Sequence, residues 1–362
     1  MKILIAGGGT GGHLIPGIAL YEEFKSRNIE CRYVLRSIDL RYEVASRIQK
    51  HDRIEIEISG VSRRLSLKTP IYILKLARVF FKTFRLIRKF KPDAIIITGG
   101  YVSNPSALSA LLLRKPLFIL EQNSVAGVTN RAYSRFARTI FTAFPDTKRL
   151  KSKQVVRVGT PSIFKGEIPQ SEARKFFNLE RYKRIVGVTG GSQGAMVIND
   201  AVFEILSLLN DKGIGVIWSV GAVDYERVES KIDSVSENLP NLRYFRFIER
   251  MDAFFCASDC VISRGGATSI AEIIRYKTPS ILIPIANSPD NHQYLNCLYL
   301  RNADAGTIIE ENELSSQTLF SNILQTLKSA DKIRENLKNL ALDNPAKKIA
   351  DLIIPHLSTK RG

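Results

Sequence analysis

The chain has 362 residues, 44% hydrophobic and 24% charged, a composition that excludes a disordered or fibrous protein and predicts about two globular domains. Four cysteines are too few for a disulfide framework and fit a reducing cytoplasm, and no run approaches the roughly 18 consecutive apolar residues that a membrane-spanning helix needs. The formal charge of +18 is uneven: residues 1 to 163 carry 29 Lys and Arg against 11 Asp and Glu, while residues 164 to 362 carry 24 of each, which predicts a polyanionic partner, nucleic acid or anionic membrane, for the first half.

The chain opens MKILIAGGGTGGHLIPG. Ile3 to Ala6 reads as a buried strand rather than a signal peptide, and helical spacing runs from Leu14 through Phe24, so Gly7, Gly8, Gly9, Gly11 and Gly12 fall on a strand-to-helix turn. Such a turn aims backbone N–H groups and a positive helix end at one point, where an anion binds. Gly7, Gly9 and Gly12 also fit GxGxxG, a weak dinucleotide signal whose plain alternative is a tight turn. His13 is left over by that fingerprint, and imidazole is the side chain suited to taking a proton from a hydroxyl near neutrality.

Through the first half CRYVL, RIEIEI, DAIIIT, PLFILE and TIFT alternate as strands with helical segments such as 14 to 27 and 70 to 90, the signature of right-handed crossovers and a parallel sheet. Segment 69 to 92 carries Lys75, Arg78, Lys82, Arg85 and Lys89 as a basic stripe, with Leu76, Phe80, Phe84 and Ile87 mainly on other faces. It is either a crossover helix with a solvated face or a helix that lies on an anionic bilayer. Glu121, Gln122 and Asn123 end PLFIL at the sheet's carboxyl edge, as turn formers or as contacts to a hydroxyl-rich ligand.

The second half repeats the plan with RIVGVT, GVIWSV, CVIS, PSILIPI and GTIIE. Its first strand ends in GGSQG at 190 to 194, and SRGGATSIAE at 263 to 272 is a third strand-to-helix turn. Glu272, a turn inside that helix, suits the two hydroxyls of a ribose, or else a solvated helix face. His292, Gln293 and Asn296 open a further helix. Cys256, Cys260, His292 and Cys297 lack zinc-site spacing, and no D-x-D triplet occurs, so phosphate is expected on N–H groups and helix ends without a metal or cofactor. The fold expected is α/β, with two doubly wound Rossmann-like domains facing across a cleft, at 1–160 and 161–362, the last helix free to pack back on the first.

Taken together, GGGTGGHLIPG, GGYVSNPSAL at 99 to 108, LEQNSVAGVTNR at 120 to 131, GGSQGA, SRGGATSIAEI and DNHQYLNC at 290 to 297 closely resemble the bacterial MurG family, in order and over nearly the whole chain. The resemblance implies an inverting, metal-independent GT-B glycosyltransferase. It would move N-acetylglucosamine from UDP-GlcNAc to the 4-hydroxyl of MurNAc in undecaprenyl-pyrophosphoryl-MurNAc-pentapeptide, as a peripheral protein on the cytoplasmic face of the inner membrane. It further implies that Ser192 and the run Ala267, Thr268, Ser269, Ile270, Ala271 and Glu272 hold the donor diphosphate and ribose. Ile248 would meet uracil through its backbone and Gln293 the sugar, while Thr10, Gly11, Gly12 and Asn123 would line the acceptor side. His13, or else Glu121, would be the base. One departure stands out: the family's GNPVR reads Gly159-Thr160-Pro161-Ser162-Ile163, so an arginine is replaced by Ile163.

Two other classes compete. A nicotinamide dehydrogenase would use GxGxxG with Arg36 on a 2′-phosphate, leaving GGSQG without a task. A nucleic-acid binder would use the basic half and leave all the glycine turns idle.

Overall fold

The computed structural model describes residues 1–58, 69–152, 154–164, 166–234 and 239–358. The chain divides into two compact units, Met1–Ile163 with Leu342–Gly362, and Phe164–Ala341.

In the first unit, seven strands form one sheet: β1 (Lys2–Gly7), β2 (Glu30–Arg36), β3 (Arg53–Ile56), β4 (Ala94–Gly99), β5 (Leu117–Glu121), β6 (Thr139–Thr142) and β7 (Val155–Arg157). Their order is β3-β2-β1-β4-β5-β6-β7, and every pair is parallel. Helices α1 (Gly11–Ser26), α2 (Thr69–Phe90), α3 (Ser103–Leu112) and α4 (Val128–Tyr133) lie in the connections. Strands β4, β5 and β6 are buried at every position, which is why β4 and β5 open on apolar runs, AIII and LFIL, rather than alternating. Strand order reverses between β1 and β4, and doubly wound folds bind ligands outside the carboxyl ends at that point.

The second unit repeats this winding with β8 (Arg184–Thr189), β9 (Ile214–Ser219), β10 (Leu242–Phe245), β11 (Cys260–Ser263), β12 (Ser280–Leu282) and β13 (Thr307–Ile308). They form a parallel six-stranded sheet in the order β10-β9-β8-β11-β12-β13. Around it run α5 (Gln170–Phe176), α6 (Met196–Glu204), α7 (Leu206–Asp211), α8 (Tyr225–Asp233), α9 (Met251–Ala257), α10 (Ala267–Tyr276), α11 (His292–Arg301), α12 (Ser316–Lys328) and α13 (Ala330–Leu340). Trp218 of β9 is fully buried among Ile198, Val202 and Val216.

The closing helix α14 (Pro345–Ser358) returns to the first unit and packs along α1, where Arg27 meets Asp351 at 2.6 Å. PSILIPI is shorter as a strand than its apolar run suggests. The ladder continues one bond beyond β12, from the Ile283 N–H to the Ser263 carbonyl, and then reaches Pro284, which has no N–H to give.

Candidate active site

In the first unit the turn after β1 rises through Gly9, whose φ of +92° favours glycine. Helix α1 starts at Gly11, earlier than the apolar spacing suggests, so Gly11, Gly12 and His13 fill its first turn. Thr10 is the extended N-cap and makes no side-chain cap bond. The first intrahelical bonds run from the His13 and Leu14 N–H groups to the Thr10 carbonyl, at 3.2 and 3.0 Å. The N–H groups of Gly11 and Gly12 precede them, the donors a helix start offers to an anion.

His13 is fixed from below. Its Nδ1 lies 2.8 Å from the Thr98 carbonyl oxygen at the end of β4. A carbonyl only accepts, so Nδ1 carries the hydrogen and the neutral ring keeps its lone pair on Nε2. The Thr98 hydroxyl donates in return to the His13 carbonyl at 2.7 Å. The ring packs on Gly99 and Gly100, with φ of +105° and +78°. A Cβ on Gly99 would lie 2.8 Å from His13 Cε1, and one on Gly100 would lie 2.6 Å from the Gly8 carbonyl oxygen. Reading the sequence residue by residue gave this glycine pair no task; the signal was a second Gly-Gly closing the strand beside β1.

Glu121 is fully buried and braces the turn that follows β5. One carboxylate oxygen accepts from the backbone and side-chain nitrogens of Asn123 at 3.0 and 3.4 Å, the other from the Gly127 N–H and the Asn130 amide, both at 2.9 Å. Four donors on two oxygens suit bracing better than proton abstraction. Arg36, which a dinucleotide site would turn to a phosphate, pairs with Asp39 at 2.6 Å and donates to the Gly9 carbonyl at 3.1 Å. Ile163 is buried at the end of this unit.

In the second unit GGSQG turns through Gly191 and Gly194, at φ +88° and +87°, against Gly221 at φ +97°. The Ala222 and Val223 N–H groups donate to the Ser192 and Gln193 carbonyls at 3.1 and 3.2 Å, zipping the turn to the stretch after β9. Below, buried Asn199 donates to the Val220 carbonyl at 3.1 Å and to Asp224 at 2.7 Å, and accepts from the Trp218 indole at 3.1 Å. Hydrogen bonds from Arg227, then from Asn199, hold the Asp224 carboxyl below its ordinary range. Ser192 itself is half-buried.

The third turn opens α10 at Ala267, behind Gly266, with no side-chain cap. Ala267, Ile270 and Glu272 are buried, while Thr268, Ser269 and Ala271 are half-buried. Gly265 is pressed on α11: a Cβ there would lie 2.5 Å from Cys297 Sγ, and the Asn296 amide donates to the Gly265 carbonyl at 3.1 Å. Gln293, at the start of α11, accepts from the Ile285 N–H at 3.1 Å. Ile248 is buried in the loop between β10 and α9. Cys260 and Cys297 are buried, and among the described residues no group of three or more His, Cys, Asp and Glu is placed to hold a metal ion.

Two doubly wound parallel-sheet units, each ending its first strand in a glycine turn, make up the GT-B architecture. Residues 3–142 match the Glycosyltransferase family 28 N-terminal domain and residues 185–353 its C-terminal domain. The UDP-N-acetylglucosamine--N-acetylmuramyl-(pentapeptide) pyrophosphoryl-undecaprenol N-acetylglucosamine transferase of Christiangramia forsetii is 34% identical over 99% of both chains. The transferase of the same name from an Anaeromyxobacter species is 36% identical over 97% of this chain and 92% of its own. The crystal structure of Acinetobacter baumannii MurG, 24% identical, superposes with a TM-score of 0.75 over 97% of this chain and 98% of that one. The chain belongs to the MurG family of these transferases.

Proposed function

We propose that the protein transfers N-acetylglucosamine from UDP-GlcNAc to the 4-hydroxyl of MurNAc in undecaprenyl-pyrophosphoryl-MurNAc-pentapeptide, forming lipid II, with inversion and without a metal. Full-length kinship to enzymes named for this reaction carries the reading. In the first unit His13 serves as base through Nε2, the nitrogen its Thr98 bond leaves available. The MurNAc oxygen forms its bond to the anomeric carbon as the bond from that carbon to UDP breaks. The proton goes to His13 and the electron pair leaves with the diphosphate. Thr10, Gly11, Gly12 and Asn123 serve the acceptor, and Glu121 acts as the brace that orients Asn123. In the second unit Ser192 and the first turn of α10 stabilise the departing charge with N–H and hydroxyl donors. Glu272 takes the ribose hydroxyls, Ile248 the uracil and Gln293 the sugar. Replacing Glu272 by alanine should weaken UDP-GlcNAc binding in calorimetric titration by about 1–3 kcal/mol, the cost of unmatched hydrogen-bonding groups. Unchanged affinity would take Glu272 out of the donor site, and binding of NADPH in place of UDP-GlcNAc by the wild type would restore the dehydrogenase.

The basic first unit is read as addressed to the anionic cytoplasmic face of the inner membrane rather than to nucleic acid. Helix α2 buries Thr83, Ile87 and Phe90 and exposes Lys75, Arg78, Lys82 and Arg85. Phe81 and Leu74 stand 66% and 62% exposed on it, while Phe80 and Phe84, equal candidates for insertion by spacing, are half-buried and pack on each other. Leu112, on the adjoining helix α3, is also exposed. Basic residues near an anionic leaflet contribute about 1 kcal/mol each, a term that salt screens. No helix among the described residues is long and apolar enough to cross a membrane. The protein should therefore co-sediment with anionic but not zwitterionic vesicles, and release as salt rises. Changing Lys75, Arg78, Lys82 and Arg85 together to Gln should weaken that binding and spare transfer to a soluble short-chain acceptor. Wild-type vesicle binding by the quadruple variant would leave α2 a crossover helix with a solvated face.

A further inference from the structure

The first glycine turn is held by an ion pair that the transfer chemistry leaves without a task. Asp39 is fully buried three residues beyond β2, and one of its oxygens accepts from the Gly9 N–H at 3.0 Å and the Arg36 N–H at 3.2 Å. Its other oxygen accepts from Arg36 Nη2 at 2.6 Å, and that same nitrogen donates to the Gly9 carbonyl at 3.1 Å. Both polar groups of Gly9 are thus taken by the two partners of one salt bridge. Gly8 is closed off as well, since a Cβ there would meet Asp39 Oδ2. The carboxylate occupies the Gly9 N–H, so a phosphate cannot use that donor, and the turn's remaining donors are those that follow, at the start of α1.

We infer that Arg36 and Asp39 are positioning residues for the acceptor: they fix Gly9 so that Thr10, Gly11 and Gly12 are presented in one geometry to the acceptor's anionic end. The inference rests on the transferase reading. It separates the roles of the glycine turns, because the pair lies wholly in the first unit and the residues proposed for the donor lie in the second. An exposed pair would contribute little, but Asp39 is buried and Arg36 bonds it through two nitrogens while spanning to a backbone carbonyl. A lysine cannot reproduce that fork.

The test measures steady-state kinetics with a soluble short-chain acceptor, together with calorimetric UDP binding and thermal melting. Arg36→Met should raise the acceptor KM about tenfold or more, since small misplacement of binding groups is costly, and leave the UDP Kd within about twofold. Arg36→Lys should fall between that variant and the wild type. An acceptor KM within about twofold of wild type in folded Arg36→Met overturns the inference, as does a UDP Kd that rises by the same factor as the KM. If Arg36→Met does not fold, Arg36→Lys decides, and an unchanged acceptor KM there overturns it equally. Absence of product from the wild type would instead overturn the transferase reading, so the two failures are distinguishable.

Discussion

Replacing His13 by alanine should lower kcat about 100-fold or more, the usual worth of a positioned general base, and leave UDP-GlcNAc affinity unchanged. The prediction follows from how the ring is held. The bond from Nδ1 to the Thr98 carbonyl fixes the tautomer, and the glycine pair at the end of β4 leaves no side chain where the ring lies. Alanine removes the imidazole without disturbing the backbone, because the Thr98 hydroxyl bonds the His13 carbonyl and not its ring. The residues proposed to bind the donor all lie in the other unit, so a fall in kcat with constant UDP Kd isolates the base. Full turnover with only a raised acceptor KM would make His13 a binding residue, and the base would have to be sought elsewhere in the first unit.

Gly221→Ala should abolish measurable donor binding. The new Cβ would meet the Gly194 backbone, and the chain cannot swing away because the next two N–H groups are bonded to the Ser192 and Gln193 carbonyls. A φ of +97° adds backbone strain for any residue with a Cβ. Strain and overpacking together cost roughly 2–6 kcal/mol, enough to open the GGSQG turn or unfold the second unit. Gly166→Ala is the matched control, with nothing within 4 Å of its Cβ, and should bind and melt as wild type. Titration and melting of the two variants side by side check this, and UDP-GlcNAc affinity within about threefold of wild type in Gly221→Ala would refute the zipped turn.

The central strands were legible because strands buried on both faces are near-continuously apolar, as AIII of β4 and LFIL of β5 are before their polar carboxyl ends. The edge strands β7 and β10 were not, since VVR and LRYF are short, partly exposed and defined by the neighbour they pair with. The glycine turns announced themselves by composition, whereas Glu272 one turn inside α10 read equally as a solvated helix-face acid, and only its burial in the fold sets that reading aside. What lies under the turns did not. Asp39 reaches Gly9 only because β1 and β2 are paired, thirty residues apart in sequence. Glu121 differs: its donors Asn123, Gly127 and Asn130 all follow within the same motif, so its bracing role was readable from a carboxylate set before a glycine- and asparagine-rich turn. The last helix was expected to be free to pack back on the first domain, as α14 does, but the identity of its partner there, α1, is a tertiary fact.

The most direct test is to incubate the purified protein with radiolabelled UDP-GlcNAc and a soluble, short-chain pyrophosphoryl-MurNAc-pentapeptide in the presence of EDTA, and to follow both sugar products and UDP. A β-1,4-linked GlcNAc–MurNAc product should form in step with UDP, undiminished by the chelator and absent when UDP-GalNAc replaces UDP-GlcNAc. No disaccharide, an α-linked one, or product that appears only when magnesium is restored would contradict it.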